Sequence, residues 1–518
     1  MRSLLRASLV PGICFAAFTG LAALFAFRAE VLYDTDSYFH LFVGRIFREL
    51  GVVDEFPWTR FSVYRDGFGD KEVLFHLLLA PFAGDGGSTG GGRLALALLL
   101  GGIAAMLAGL GQRAVGAWAA LAPVVVFFGS IDFLGRAVRL RPELLALMLF
   151  LAAAWCAAER RHRLLGLVAF TFALAYTGFH ALVVLCGLWF AWSWFFERRR
   201  CWLLLLYPVL GTGLALLVHP HFPHNLVVWK VQNVDFFLIA SQLDVSTENR
   251  APSLVATFRD NWGWAAACLG LWLGRGWIAA GGTAGNADVE SRSEAEQSTH
   301  RFAVWTIAAA AFAVLYILML RFSTYFYAFG VLALLHAMHR FPVRGAPRST
   351  RRLAALGALL LALMSLVAPA RMLWGMATAT GGALSREADW AAAARALPPG
   401  ARVAADWGLT PNVLYYAPHA QFMNVLNSVF MAVPHPDEYR AWREVLAGRS
   451  EDPVAVVRDQ LDSEYLVLSR FFTEPRLLQQ LDEHPGARRV YAGYTLVYRL
   501  QPDASPPVPE PSLEAPSP

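Results

Sequence analysis

The sequence predicts an α-helical polytopic membrane protein of about eleven transmembrane helices, followed by a C-terminal soluble α/β domain. Three observations predict it. The 518 residues are 56% hydrophobic and 16% charged, with a mean hydropathy of +0.43, whereas a soluble domain carries about 25% charged residues. The apolar residues gather in blocks of roughly 16–20, and a helix needs roughly 20 residues to cross a bilayer. Beyond about residue 385 the pattern changes to short helical and strand-like stretches in alternation, as in a packed α/β layer. Inside the bilayer every backbone polar group must be bonded within its own segment, so the spans are helices.

Candidate spans fall at about 8–28, 94–110, 114–129, 142–158, 164–180, 181–196, 202–218, 262–280, 303–320, 323–338 and 353–370. The start, "MRSLLRASLVPGICFAAFTGLAALFAFRAE", has a basic head and a long apolar core without a small-x-small cleavage site, and reads as a retained first helix. The apolar stretch 73–82 is only about ten residues, too short to span. Charge placement agrees. With 73–82 lying on the outer surface, Arg113, "ERRHR" (159–163), "ERRR" (197–200) and the basic run 339–352 all fall in cytoplasmic loops. This places the N-terminus in the cytoplasm and the C-terminus outside.

The expected organisation is a transmembrane domain over 1–372 with a large first external loop (30–93), an extracytoplasmic α/β domain over 373–501, and a disordered Pro-rich tail over 502–518. Residues 281–301 read as a flexible cytoplasmic linker. In the α/β domain, "READWAAAARAL", "TPNVLYYA", "PDEYRAWREVLAG" and "DPVAVVRDQL" read as helices. "ARVAAD", "AQFMNVL", "YLVLS", "RRVYAG" and "TLVYRL" read as strands.

The net charge of +5 comes almost wholly from arginine, a bias of the kind a GC-rich genome produces rather than the mark of a nucleic-acid binder. Lysine occurs only at Lys71 and Lys230, which singles out positions where a compact ammonium is wanted. The five cysteines lie in or beside apolar blocks without CxxC or metal-ligand spacing. Neither a disulfide nor a zinc site is expected from them.

Five constellations could carry chemistry. Asp34 and Asp36 flank Thr35 just past the first span. They could bind a divalent cation, act as a general base, or orient an acceptor; equally, an Asp there caps the amphipathic helix that follows. Asp70, Lys71 and Glu72 precede the short 73–82 helix, which contains His76, and a charged helix N-terminus explains Asp70 and Glu72 as well as a binding role does. Asp132, Arg136, Arg139, Arg141 and Glu143 lie in a loop that topology puts outside. Basic residues there run against the charge rule and are candidates for holding an anion, with an internally paired loop as the alternative. Arg321 sits between two span ends, facing a cavity or anion, or snorkelling to the headgroups. His219, His221 and His224 lack a metalloprotease spacing and fit a turn that ends a helix.

Together these features resemble the GT-C superfamily of membrane glycosyltransferases, which use a polyprenyl-phosphate-linked sugar on the outer face of the membrane. The resemblance covers the layout of about residues 1–370: a first helix followed at once by an acidic pair, then a long external loop with two surface helices. The lipid A aminoarabinose transferases carry Lys-Pro-Pro-Leu on the second surface helix, followed by small residues and Arg-Leu. "DKEVLFHLLLAPF" and "GGRLALALL" look similar, with Lys71 in the matching place and the two prolines missing. Protein mannosyltransferases share the plan. So does the oligosaccharyltransferase catalytic subunit, with Asp34/Asp36, Asp132 and Arg321 in comparable places. Its Trp-Trp-Asp-Tyr-Gly motif is missing.

The resemblance implies inverting transfer of a sugar from a polyprenyl-phosphate donor to an acceptor glycan, lipid or protein. Asp34 or Asp36 would be the general base. Lys71, Arg321, Arg139 and Arg141 would bind the departing phosphate, and Asp132, Asp70 and Glu72 a metal or the acceptor. No redox cofactor is needed. Mg²⁺ or Mn²⁺ would be held if Asp34, Asp36 and Asp132 all turn inward. Two other classes stay open. A transporter or flippase of a lipid-linked or polysaccharide substrate would show internal repeats and mid-membrane charges. A non-catalytic scaffold would depend on its C-terminal domain alone.

Overall fold

The computed structural model describes residues 2–84, 87–244, 246–281, 292–341, 356–357, 360, 363, 366–378 and 386–501. The chain divides into two compact units. The first holds residues 1–54, 69–230 and 244–381; the second holds 55–68, 231–243 and 382–518.

The first unit is helical: α1 (Arg2–Arg28), α2 (Thr35–Leu50), α3 (Val73–Leu79), α4 (Gly90–Val115), α5 (Leu121–Gly129), α6 (Ile131–Ala137), α7 (Pro142–Ala158), α8 (His162–Ala175), α9 (Phe179–Phe195), α10 (Leu203–Leu217), α11 (His224–Lys230), α12 (Leu254–Gly281), α13 (Arg292–Leu318) and α14 (Ser323–Arg340). This is the polytopic α-helical membrane class that the composition predicts. Among the described residues, Leu9–Arg28, Gly90–Gly129 and Glu294–Leu318 are long and apolar enough to cross a bilayer. Ile131–Ala137 and Pro142–Ala158 pass that test as a pair bent by 114°.

Gly90–Gly129 is 40 residues long, about 60 Å if straight and twice one crossing. It is interrupted at Gly116, whose φ of +61° suits a residue without Cβ. A Cβ on Gly111 would sit 3.3 Å from that of Ala119, so the chain folds back there. The stretch Val73–Phe82 is seven residues of α-helix and one 3-10 turn, about half a bilayer thickness. The expected linker 281–301 is shorter than its composition indicates: α13 begins at Arg292, and 282–291 lie outside the described residues. Half of the expected span 353–370 and all of the tail 502–518 also lie outside them.

Close helix packing rests on small residues, as usual where apolar solvent gives helices no reason to associate. A Cβ on Gly211 of α10 would fall 2.1 Å from the carbonyl oxygen of Gly166 on α8. The exit of α1 is held by Arg93, in the first turn of α4. Its guanidinium donates to the carbonyls of Ala26, Ala29 and Glu30, where the last carbonyls of a helix lack partners and attract a cation.

The second unit is built on a five-stranded sheet of order β2-β1-β3-β5-β4, with β1 Arg402–Ala405, β2 Gln421–Phe422, β3 Tyr465–Ser469, β4 Ala487–Ala492 and β5 Thr495–Leu500. β1 pairs parallel with β2 and β3, and β5 antiparallel with β3 and β4. The expected strand "AQFMNVL" is ladder only at Gln421–Phe422. A helix at Pro475–Glu483, not read from the sequence, precedes β4.

Residues 55–68 of the first long loop build the sheet's edge. Trp58 O accepts from Phe422 N–H at 2.7 Å, Phe422 O from Arg60 N–H at 2.9 Å, and Met423 O from Phe61 N–H at 2.8 Å. The Arg60 guanidinium donates to Ser463 Oγ at 2.8 Å and to Leu461 O at 3.2 Å. Phe56 stacks on Phe68 at 4.9 Å, and Tyr64 lies 5.4 Å from Phe430.

The hairpin joining β4 to β5 is clamped by Asp389, only 1% exposed. Its carboxylate accepts from the Tyr494 and Thr495 N–H groups at 3.0 and 2.9 Å and from the Tyr491 hydroxyl at 2.8 Å. Asp389→Ala strands these donors and is expected to cost about 3 kcal/mol, seen as a lower melting temperature for the second unit in thermal unfolding of the full chain.

Candidate functional site

The first unit brings residues 34–36, 136–143, 247–249 and 321 together at the ends of α1, α7, α12 and α13. Asp34 does occupy the N-cap of α2 (φ −139°, ψ 138°), yet its side chain makes no capping bond. It turns to Arg141 instead. Arg141 Nη2 donates to Asp34 Oδ1 at 2.7 Å, and Nε to Oδ2, a two-pronged pair. The same Nη2 lies 3.1 Å from Asp36 Oδ2, and Nη1 donates to both oxygens of Glu248 at 3.0 Å. Leu140 N–H donates to Ser37 Oγ at 3.1 Å, which sets the register of the two segments.

Glu248 also accepts from Arg136 Nη1 at 3.0 Å and Arg139 Nη1 at 3.1 Å. Glu143 lies 2.7 Å from Arg136 Nη2 and accepts from Arg321 Nη2 at 3.1 Å, while Arg321 Nη1 donates to Asn249 Oδ1 at 3.1 Å. Four guanidiniums therefore face four carboxylates. The arginines that topology placed against the charge rule are neutralised across segments as well as within their own loop.

Asp132 does not join them. Its carboxylate accepts from the Tyr316 hydroxyl and from Asn261 Nδ2 at 2.8 Å. The three-carboxylate cation cage expected of Asp34, Asp36 and Asp132 is therefore not assembled: a guanidinium, not an open space, lies between the first two, and the third is committed elsewhere.

Asp70, Lys71 and Glu72 precede α3. Lys71 Nζ is 3.8 Å from Glu72 Oε1 and close enough to act on Asp36 electrostatically. Asp70 and Glu72 are buried with His76 and with His40 of α2. Asp36 and His40, four residues apart, share one face of α2.

Burial pushes the Asp36 carboxyl up to about 7; Asp34 and Glu248 add to the rise, and Arg141 and Lys71 oppose it. It is also the more open of the pair, its side chain 21% exposed against 10% for Asp34. Burial alone would weaken the Arg141 charge, but Asp34, Asp36 and Glu248 hold its pKa well above the ordinary value. Burial alone would likewise raise Glu248, but Arg141, Arg136, Arg321 and Arg139 hold it well below the carboxylate range. Burial thus raises Asp36, while the arginines around Glu248 hold that carboxyl low.

Beside this network opens a mostly apolar pocket. Phe18, Phe25 and Leu100 line its apolar wall, and Tyr33 and Val138, the neighbours in sequence of Asp34 and Arg139, also line it. The Arg139 guanidinium lies 5.9 Å over the Tyr33 ring.

Sequence reasoning missed Glu248, Asn249 and His40. Glu248 lies on a short 3-10 turn, Thr247–Asn249, with no motif around it. His40 was accessible from its four-residue spacing to Asp36.

No protein-family model and no curated protein matches the sequence. Solved structures do. ArnT from Cupriavidus metallidurans, crystallised with undecaprenyl phosphate, is similar with TM-score 0.53 and 14% identity, over 94% of this chain and 97% of that one. The oligosaccharyltransferase of Archaeoglobus fulgidus, tethered through a disulfide bond to an acceptor peptide containing the NVT sequon, is similar with TM-score 0.51 and 12% identity, over 94% of this chain and 74% of that one. The chain is thus a polytopic membrane protein with a GT-C-like fold.

Glu143 holds two arginines, and Arg136 is only 6% exposed. Glu143→Ala is expected to destabilise the first unit by about 3 kcal/mol, the low end for a broken buried pair because Glu248 still holds Arg136. Thermal unfolding in detergent measures it, and Glu143→Gln should lose less.

Proposed function

We propose that the protein is a membrane glycosyltransferase that moves a sugar from a polyprenyl-phosphate donor to an acceptor at the outer face of the cytoplasmic membrane. The observation that carries this reading is a carboxyl poised near neutrality, Asp36, set among fixed cations beside an apolar cavity. A lipid phosphate with an apolar tail needs such neighbours. The likeness in fold to ArnT, whose crystal holds undecaprenyl phosphate, supports it.

In this reading Asp36 is the general base. It takes the proton of the acceptor nucleophile as that atom bonds to the anomeric carbon, and the bond from that carbon to the donor phosphate breaks with its electron pair leaving on phosphate. Attack from the face opposite the phosphate inverts the centre. Asp34, held at both oxygens by Arg141, fixes that guanidinium. Lys71, Arg139, Arg141 and Arg321 offset the charge that develops on the phosphate, a role in which preorganised cations act most strongly. The tail lies along the cavity lined by Phe18, Phe25 and Tyr33.

Two outcomes test this. In proteoliposomes supplied with labelled undecaprenyl-phosphate sugars and envelope acceptors, Asp36→Asn should lower transfer by about 10²–10⁴-fold, the span of general base catalysis. Undiminished transfer in that variant would sink the reading. The rate should rise with pH through about 7, because Asp36 acts only when deprotonated. Lys71 lowers the Asp36 pKa, so Lys71→Met should move that limb to higher pH. A limb that stays in place would remove Asp36 from the role.

A further inference from the structure

Inside the first unit, His40 of α2 and His76 of α3 meet edge to edge. His40 Nδ1 is 2.9 Å from His76 Nε2, and Glu72 Oε2 is 4.0 Å from His40 Nδ1. Their side chains are 5%, 1% and 5% exposed. On its other side His76 Nδ1 donates to Asp70 Oδ2 at 2.7 Å, while Asp70 Oδ1 accepts the Glu72 N–H at 2.9 Å. That bond fixes the proton on Nδ1 and leaves the Nε2 lone pair facing His40. One ligand atom from each of His40, Glu72 and His76 lies within 4.8 Å of the other two. No other three His, Cys, Asp or Glu among the described residues meet that test.

Two imidazole nitrogens and a carboxylate oxygen suit a first-row transition ion, zinc foremost, with a fourth position left over. A carboxylate bonded to the far nitrogen of a ligating histidine is that chemistry's usual support. Zn–N bonds of 2.0–2.1 Å at tetrahedral angles put donor atoms roughly 3.3 Å apart. The 2.9 Å pair must open and the 4.0 Å pair close, each by less than an ångström.

We infer that His40, Glu72 and His76 form a binding site for a zinc-class divalent ion, with Asp70 as the positioning residue behind His76. The ion ties α2 to α3 one helical turn from Asp36 and beside Lys71, so it sets the spacing between those two side chains. Two of the ligands come from α2 and α3, 36 residues apart, which is why no cysteine- or histidine-spacing motif announces the site. The competing occupant is a proton, shared between the two imidazoles.

The test uses the full chain purified without a histidine tag, loaded with Zn²⁺ or Co²⁺, dialysed, and analysed for metal content and visible absorption. The site predicts about one ion per chain and a Co²⁺ spectrum of low-coordinate nitrogen and oxygen ligation. His40→Asn and Glu72→Gln should lose the ion, and Asp70→Asn should bind it about 10–100-fold more weakly. Zn²⁺ should raise the melting temperature of the wild type but not of His40→Asn. Metal content in folded wild type below roughly a tenth of an ion per chain, or equal content in wild type and a folded His40→Asn chain, would overturn the inference. The wild-type measurement decides even where a variant fails to fold. None of these readouts involves sugar transfer, so this site and the glycosyltransferase reading fail separately.

Discussion

The Arg141 guanidinium is the tie on which the charged centre depends. It grips Asp34 with two donors, reaches Asp36 with one of these, and gives its third nitrogen to Glu248. Taking a guanidinium out of water costs several kcal/mol and is recovered only when its donors find charged partners in good geometry. Those partners come from two stretches of chain, 34–36 and 248, each more than 100 residues from Arg141, so the centre forms only when the segments bearing them are in place. Arg136 and Arg321 extend the same logic through Glu143.

Matched charge has a chemical corollary. With four carboxylates against four guanidiniums, changing the protonation of one member leaves an imbalance that its neighbours feel directly. Asp36 is that member, since burial and the neighbouring carboxylates raise it while Arg141 and Lys71 oppose the rise. Arginines in such a lattice are preorganised: their donors are already aimed, and little reorganisation is needed when charge appears nearby.

Much of this was legible beforehand. Composition gave the membrane class. The short apolar run at 73–82 marked a helix too short to cross a bilayer, and strand and helix alternation marked most of the second unit. The acidic pair and the rare Lys71 stood out by position and by rarity. What was hidden shares one cause, partnership across long sequence distance. Glu248 is defined by the arginines it gathers. The capping reading of Asp34 described its backbone correctly and its side chain incorrectly, because a guanidinium 107 residues away outcompetes a local N–H. Asp132 seemed to belong with the pair because both lie past span ends. Asn261 and Tyr316 claim it instead.

The docking of residues 55–68 on the sheet's edge bears on how the protein is made. Trp58 bonds to Pro418, 360 residues later. At about 5–20 residues per second, roughly 20–70 s of synthesis separate the two. For that interval Phe56, Tyr64 and Phe68 have no sheet to cover them, and the first stretch of the second unit to leave the ribosome is among the last to fold. Closing so long a loop is slow and exposes apolar surface while it lasts. The nascent chain therefore carries this aromatic loop without its final partners through most of its own synthesis, in the care of whatever factors attend it.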